Sequence, residues 1–259
     1  MKFAVTTGRN CRQVIEDKAK IWAQQLGAPY LPRGTYKNLS LLQKDLKLDA
    51  VVVATADGPQ LVTKDDVFFY HPGMAVLRLQ KLKRGEGDHL LGALAVQEGS
   101  RVLDATLGLA SDAAIACYFV GRSGKVVGLE ASRLLWFVVS QGLKTYEAED
   151  NDLTLALRRI ETVQTDAQKY LAACAEDSFD VVYFDPMFRH PVQDSAAMRA
   201  LRPWAYGHPL NEATVNLALK AAPRVVIKER SEKILAEYGC QEILGGRYSK
   251  VKYGIIRRC

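Results

Sequence analysis

Val102-Leu103-Asp104-Ala105-Thr106-Leu107-Gly108-Leu109-Ala110-Ser111-Asp112 is the stretch on which the fold turns. An apolar run ends in a carboxylate, a turn of small residues follows, and a helical segment opens. In open α/β sheets such turns lie at the carboxyl ends of strands, where ligands bind. Gly108 lets the backbone come close to a ligand. A pyrophosphate site would not carry a carboxylate here, and Ala110 stands where a dinucleotide fingerprint has glycine. Asp104 suits a cationic ligand instead. Taken alone, the motif is weak, and a tight βα turn that binds nothing is the lesser alternative.

Outward from this turn, Arg101–Ala105, Lys125–Glu130, Ile160–Gln164, Phe179–Asp185 and Arg224–Lys228 are short β-branched runs separated by helical stretches. Runs of this kind suit strands buried on both faces, and their alternation with helices predicts a parallel sheet. Near the end of the chain, Gln241–Leu244 and Lys250–Arg257 flank Gly245-Gly246 and read as two further strands. Residues 1–70 read as a small α/β extension, a candidate for substrate recognition. It has a strand at Phe3–Val5, a helix over 11–26 stopped by Gly27 and Pro29, and a strand at Ala50–Ala54 turned by Asp57-Gly58-Pro59. Residues 71–259 would form the main domain, opening on a basic helical segment with Arg78, Lys81, Lys83 and Arg84. Those cations suit phosphates, and a solvated helix face accounts for them nearly as well.

The net charge of +6 favours a polyanionic partner, though solubility alone also explains such a charge. The five cysteines are scattered without a C-x-x-C, which predicts reduced thiols and no zinc ribbon. His71 and His190 have no ligand-spaced partners, so no metal is expected. Asp104 and Asp112 interrupt the most apolar stretch, Val102–Val120, and the first residues lack the apolar core of a signal peptide. A cytoplasmic protein without a membrane span is expected.

Three more strand ends carry chemistry. Glu130 ends the second strand 22 residues after Gly108, a spacing suited to accepting both hydroxyls of a ribose. Asp166, in Gln164-Thr165-Asp166-Ala167, suits an adenine amine or a helix N-cap equally. The fourth strand ends in Tyr183-Phe184-Asp185-Pro186-Met187-Phe188. Asp185 and the carbonyl of Pro186 can accept the hydrogens of an aromatic amine and localise its lone pair, while Phe188 can stack on a base.

This Asp-Pro-x-aromatic run resembles the signature of methyltransferases that modify exocyclic amines of bases. With Leu103–Leu109, Asp112, Arg84-Gly85-Glu86 and Val225–Lys228, it resembles the RsmJ-like family, S-adenosylmethionine-dependent methyltransferases acting on a guanine amine of small-subunit ribosomal RNA. The resemblance spans about residues 70–230. It implies a Rossmann-like class I methyltransferase fold with a seven-stranded, mostly parallel sheet, S-adenosylmethionine as cofactor, and ribosomal RNA or the small subunit as partner. It implies cofactor contacts at Ser111, Asp112, Glu130, Ala131, Asp166, Ala167 and Asp185. With the residue readings, Asp104, Thr106 and Gly108 join that set, Asp185, Pro186 and Phe188 form the catalytic set, and Met187, His190, Arg78, Lys81 and Arg84 the substrate set. Ala110 replaces the family's second glycine and Ser111 an expected arginine. Two other readings stay open: a methyltransferase acting on DNA, protein or a small molecule, and a non-catalytic RNA-binding assembly factor.

Overall fold

The computed structural model describes residues 2–186, 210–246 and 249–258. Within them the chain packs as two compact units. The first holds residues 2–71 and 133–146, the second residues 72–132, 147–186, 210–246 and 249–258.

The first unit is built on a four-stranded sheet of β1 (Phe3–Thr7), β2 (Ala50–Thr55), β3 (Gly58–Val62) and β4 (Val67–Phe69). The strands neighbour one another in sequence order, with β1 and β2 parallel and the rest antiparallel. Val51, Val53 and Val62 alternate onto one face, under Leu42 of α2 (Leu39–Leu46). Helices α1 (Gln13–Gln25) and α6 (Arg133–Thr145) complete the unit, and Trp22 meets Phe137 edge-on at 5.5 Å. The strand at 50–54 and its turn match the sequence reading. Helix α2 and strand β4 were not expected, being short elements without a long periodic signal.

The second unit holds seven strands: β5 (Arg101–Asp104), β6 (Lys125–Glu130), β7 (Glu161–Gln164), β8 (Val181–Phe184), β9 (Arg224–Glu229), β10 (Glu242–Leu244) and β11 (Lys252–Arg257). Their order is β10-β11-β9-β8-β5-β6-β7. The pairs from β7 through β9 are parallel, and β11 is antiparallel to both β9 and β10. This is the expected sheet. Strand β8 starts two residues later than its apolar run, because the Phe179 and Asp180 N–H groups bond Ala221 and Arg101 carbonyls outside the ladder.

One face of this sheet, with Leu103, Val127, Val182, Phe184 and Ile227, is covered by α8 (Ala167–Ala173), α9 (Glu212–Ala221) and α10 (Glu232–Glu237). On the other lie α4 (His89–Leu94) and α5 (Ser111–Phe119), joined by α3 (Ala75–Lys83) and α7 (Asn151–Arg159). Among the parallel strands, chain order runs outward from β5 in both directions, through β6 and β7 on one side and β8 and β9 on the other, so the crevice beside its carboxyl end is the topological switch point where such sheets bind ligands. Among the described residues, no helix is long and apolar enough to cross a membrane.

Candidate active site

Asp104 ends β5 with its side chain buried, pointing to the face opposite the Leu103 core. The chain turns at once. The Thr106 N–H donates to Asp104 Oδ1 at 3.1 Å, and Leu107 N–H donates to the Leu129 carbonyl at 2.8 Å. Gly108 then takes φ +50°, which glycine adopts freely. Ala110 takes φ +58° at the head of α5, where a Cβ opposes the left-handed conformation by about 1–2 kcal/mol. The strain sits in the loop nearest the strand-end carboxylates, where backbone strain tends to collect for function.

The loop is stitched to β8. Asp185 N–H donates to Thr106 Oγ1 at 2.5 Å, and Ala105 N–H to the Tyr183 carbonyl at 2.9 Å. Asp104 and Tyr183 are paired across the two strands, so Asp185 emerges beside Asp104. Lys228, on the same face of β9, sends Nζ to Asp185 Oδ2 at 2.8 Å and to Asp112 Oδ2 at 3.0 Å. The Tyr183 hydroxyl donates to Asp112 Oδ2 at 2.7 Å. Arg78 bonds Asp112 Oδ1, and grips Asp88 through Nε at 2.8 Å and Nη2 at 2.9 Å. Asp88 in turn caps α4 by accepting from Leu90 and Leu91 N–H.

Two cations therefore serve three carboxylates, Asp88, Asp112 and Asp185, and they are shared unequally. Burial opposes ionisation of Asp112, but Lys228 and Arg78 outweigh it and hold Asp112 low, at about 2. Burial pushes Asp185 up, to about 6, with Lys228 pulling it back and Asp112 adding repulsion. Burial likewise pushes Asp104 to about 8, opposed by the Thr106 N–H. Glu130, at the end of β6, is driven by burial to about 7, with the N–H groups of Ser132, Gly108 and Ala131 opposing. Its Oε1 accepts from Ser132 N–H at 2.8 Å. Among the described residues, no Lys or Arg forms an ion pair with Asp104 or Glu130.

Those two uncompensated carboxylates are the test of fit for a cofactor. Buried charges require partners, and both lie at carboxyl ends of adjacent parallel strands. Glu130 offers acceptors to a ribose diol, and Asp104 a counter-charge to an ammonium group. Both match S-adenosylmethionine. Asp104→Asn then has an expected signature. A carboxyl whose folded value is raised adds stability below its unfolded value and loses it as pH rises through the folded one. The asparagine variant should melt above the wild type by a margin that widens from pH 5 to pH 8, while binding S-adenosylmethionine more weakly. Melting curves at a series of pH values check the first, calorimetric titration the second. A margin that does not vary with pH would show that Asp104 is already ionised without cost.

The remaining expected residues fall as follows. Ser111 opens α5 and donates to the Pro72 carbonyl at 2.7 Å. Asp166 is the N-cap of α8, accepting from Lys169 N–H at 3.0 Å, with Ala167 the first helical residue. Ala131 follows Glu130, its carbonyl accepting from Gln164 Nε2 at 2.9 Å. Lys81 is exposed, and Arg84 is exposed with Nε 3.0 Å from Glu86. Arg78 turns inward from that basic helix and is taken up by Asp88 and Asp112. Asp112 has both oxygens engaged within the chain. Met187, Phe188 and His190 lie outside the described residues. Lys228 and Tyr183 were not among the expected site residues. Lys228 was legible in principle, since a cation closing the apolar run Val225–Ile227 must find carboxylates. No cluster of side chains suited to a metal ion occurs among the described residues.

Strand order, the loop after β5 and the paired strand-end carboxylates define a class I S-adenosylmethionine-dependent methyltransferase. Residues 37–249 match the family described as "Putative SAM-dependent methyltransferase", and the chain belongs to that family. It is 34% identical to "Uncharacterized protein YpiP" of Bacillus subtilis, over 92% of this chain and 93% of that one. It is 28% identical to "Ribosomal RNA small subunit methyltransferase J" of Pseudomonas fluorescens, over 84% and 81% of the two chains. Among solved structures, a SAM-dependent methyltransferase from Neisseria gonorrhoeae has the same fold, with a TM-score of 0.65 at 16% identity, covering 98% of this chain and 95% of that one.

Proposed function

We propose that this enzyme methylates the exocyclic amine of a base, guanine in the first instance, in ribosomal RNA of the small subunit, and that it works in the cytoplasm. The observation that carries the chemistry is Asp185-Pro186, with its backbone pinned by Thr106 and its carboxylate oriented by Lys228. The relatives named for small-subunit ribosomal RNA support the acceptor.

When bound, S-adenosylmethionine supplies an electrophilic methyl group on a sulfonium. Glu130 would accept from the ribose hydroxyls, Asp166 would offer its second carboxylate oxygen to the adenine amine, and Asp104 would supply the counter-charge to the ammonium. Asp185 Oδ1 and the Pro186 carbonyl accept the two hydrogens of the target amine. This localises the nitrogen lone pair and turns it away from the ring. As the N–C bond formed, the methyl carbon–sulfur bond would break and a neutral thioether would leave; the ionised Asp185 would stabilise the positive charge on nitrogen and take the released proton. Phe188 is the residue assigned to stack on the base, and exposed Lys81 and Arg84 are assigned to phosphates.

The test is a panel of acceptors with labelled S-adenosylmethionine: small-subunit ribosomal RNA, the assembled subunit, transfer RNA, DNA and total protein. Label should enter ribosomal RNA or the subunit and co-elute with an N-methylated guanosine after digestion. Label confined to DNA or protein would overturn the acceptor while leaving the transfer chemistry intact. RNA binding without any affinity for S-adenosylmethionine would favour an assembly factor.

A further inference from the structure

The first unit contains a cavity of about 360 Å³, none of whose lining residues belongs to the charged site. That size falls within the range of small-ligand pockets. Phe69, Tyr70 and His71 line it from the end of β4, Thr145 and Tyr146 from the end of α6, Gln60 from β3, and Asp57, the one carboxylate of the lining, from the turn before β3. The rings are set by packing. Tyr146 meets Tyr70 edge-on at 5.9 Å and 83°, and His71 at 5.4 Å and 80°, with its hydroxyl 3.3 Å from His71 Nε2. Gly142 explains how Tyr70 fits. A Cβ there would stand 2.1 Å from Tyr70 Cγ, so the ring lies directly on bare helix backbone. Glycine weakens a helix interior, and its presence in α6 calls for such a reason. Phe69 is 56% exposed on the edge strand, an aromatic face left open to solvent.

Open aromatic faces select a flat ligand, and charge narrows its class. Residues 1–71 and 133–146 carry 12 Lys and Arg against 7 Asp and Glu, nearly the whole net charge of +6. Lys64 and Lys144 are exposed, each a few residues along the chain from the lining. A single-stranded nucleic acid is both flat in its bases and polyanionic, and the RNA acceptor proposed above is such a ligand. Acidic peptides and lipid headgroups supply the charge without the ring. We infer that this cavity holds an unpaired base of the RNA acceptor, stacked on Phe69 and Tyr146, with lysines of the same unit on the adjoining phosphates.

The inference rests on the RNA reading above, and the experiment separates the two. The full-length protein is titrated against a single-stranded oligoribonucleotide carrying 2-aminopurine, over a series of salt concentrations. Loss of a stacking ring weakens binding by roughly 5- to 100-fold. Phe69→Ala should show such a loss and reduced quenching of 2-aminopurine. Its salt slope should be unchanged, since the phosphate contacts remain. Phe69→Trp should restore affinity. Because Phe69 is more than half exposed, its truncation leaves the fold standing, and an unchanged affinity for S-adenosylmethionine verifies this. Wild-type binding that neither Phe69→Ala nor Tyr146→Ala weakens overturns the cavity and spares the RNA reading. A wild type that neither binds nor methylates RNA removes both.

Discussion

Asp185→Asn should reduce methyl transfer to the RNA acceptor by about 10²- to 10⁴-fold, the range for removing a positioned proton acceptor. The asparagine keeps one carbonyl oxygen, so the amine is still held in part. What disappears is the negative charge opposite the nitrogen as it becomes positive. The effect should therefore fall on kcat more than on KM, because the lost interaction is strongest in the transition state. The pH profile carries a second signature. Asp185 must be ionised to accept, and its carboxyl is raised to about 6, so wild-type activity should fall as pH drops through about 6. Lys228 pulls that value down from 2.8 Å away. Lys228→Met should move the acid limb to higher pH and slow transfer about tenfold or more at neutral pH, the scale of one close buried charge. Single-turnover rates from pH 5 to pH 9 measure all three enzymes. An acid limb in the same place for Lys228→Met would mean that Lys228 serves Asp112 alone.

Much of this site was legible because strand ends advertise themselves. An apolar run that stops at a carboxylate has one simple geometry in a parallel sheet, so the sequence alone places Asp104, Glu130 and Asp185 at one edge. What stayed hidden is the division of two cations among the carboxylates. Arg78 looked like a phosphate ligand, because sequence records that a helix is basic and not which of its residues faces inward. Its partner Asp88 lies ten residues on, across Gly85 and Gly87, where no helical spacing connects them. Lys228 and Asp185 are 43 residues apart and meet through strand order alone. Helix α6 follows β6 in the pattern of a βαβ crossover, yet it belongs to the unit built on residues 2–71. The alternating pattern reports that a helix exists and says nothing about which sheet it covers.

Asp112→Ala is the substitution with the largest expected effect on stability. Asp112 joins Arg78, Lys228 and the Tyr183 hydroxyl, and its side chain is 12% exposed. Removing it leaves two buried cations short of a partner and one hydroxyl without its acceptor. Breaking a buried pair from one side costs about 3–5 kcal/mol, against a total stability of about 5–15 kcal/mol for a native protein. At about 2–4 °C per kcal/mol for a chain somewhat smaller than this one, the melting temperature should fall by roughly 10 °C. Asp112→Asn keeps an acceptor of the same shape and should lose less. Because burial is outweighed and Asp112 sits at about 2, its contribution is present above the ordinary carboxylate range and is lost only as pH falls towards 2. The difference from wild type should therefore be constant between pH 5 and pH 8, the opposite of the widening margin expected for Asp104→Asn. The pair of profiles distinguishes the two carboxylates by role: Asp112 supports the site from within, and Asp104 waits for a charge from outside. If Asp112→Asn instead melts with the wild type and loses S-adenosylmethionine, the carboxylate contacts the cofactor directly and its bonds to Arg78 and Lys228 are secondary.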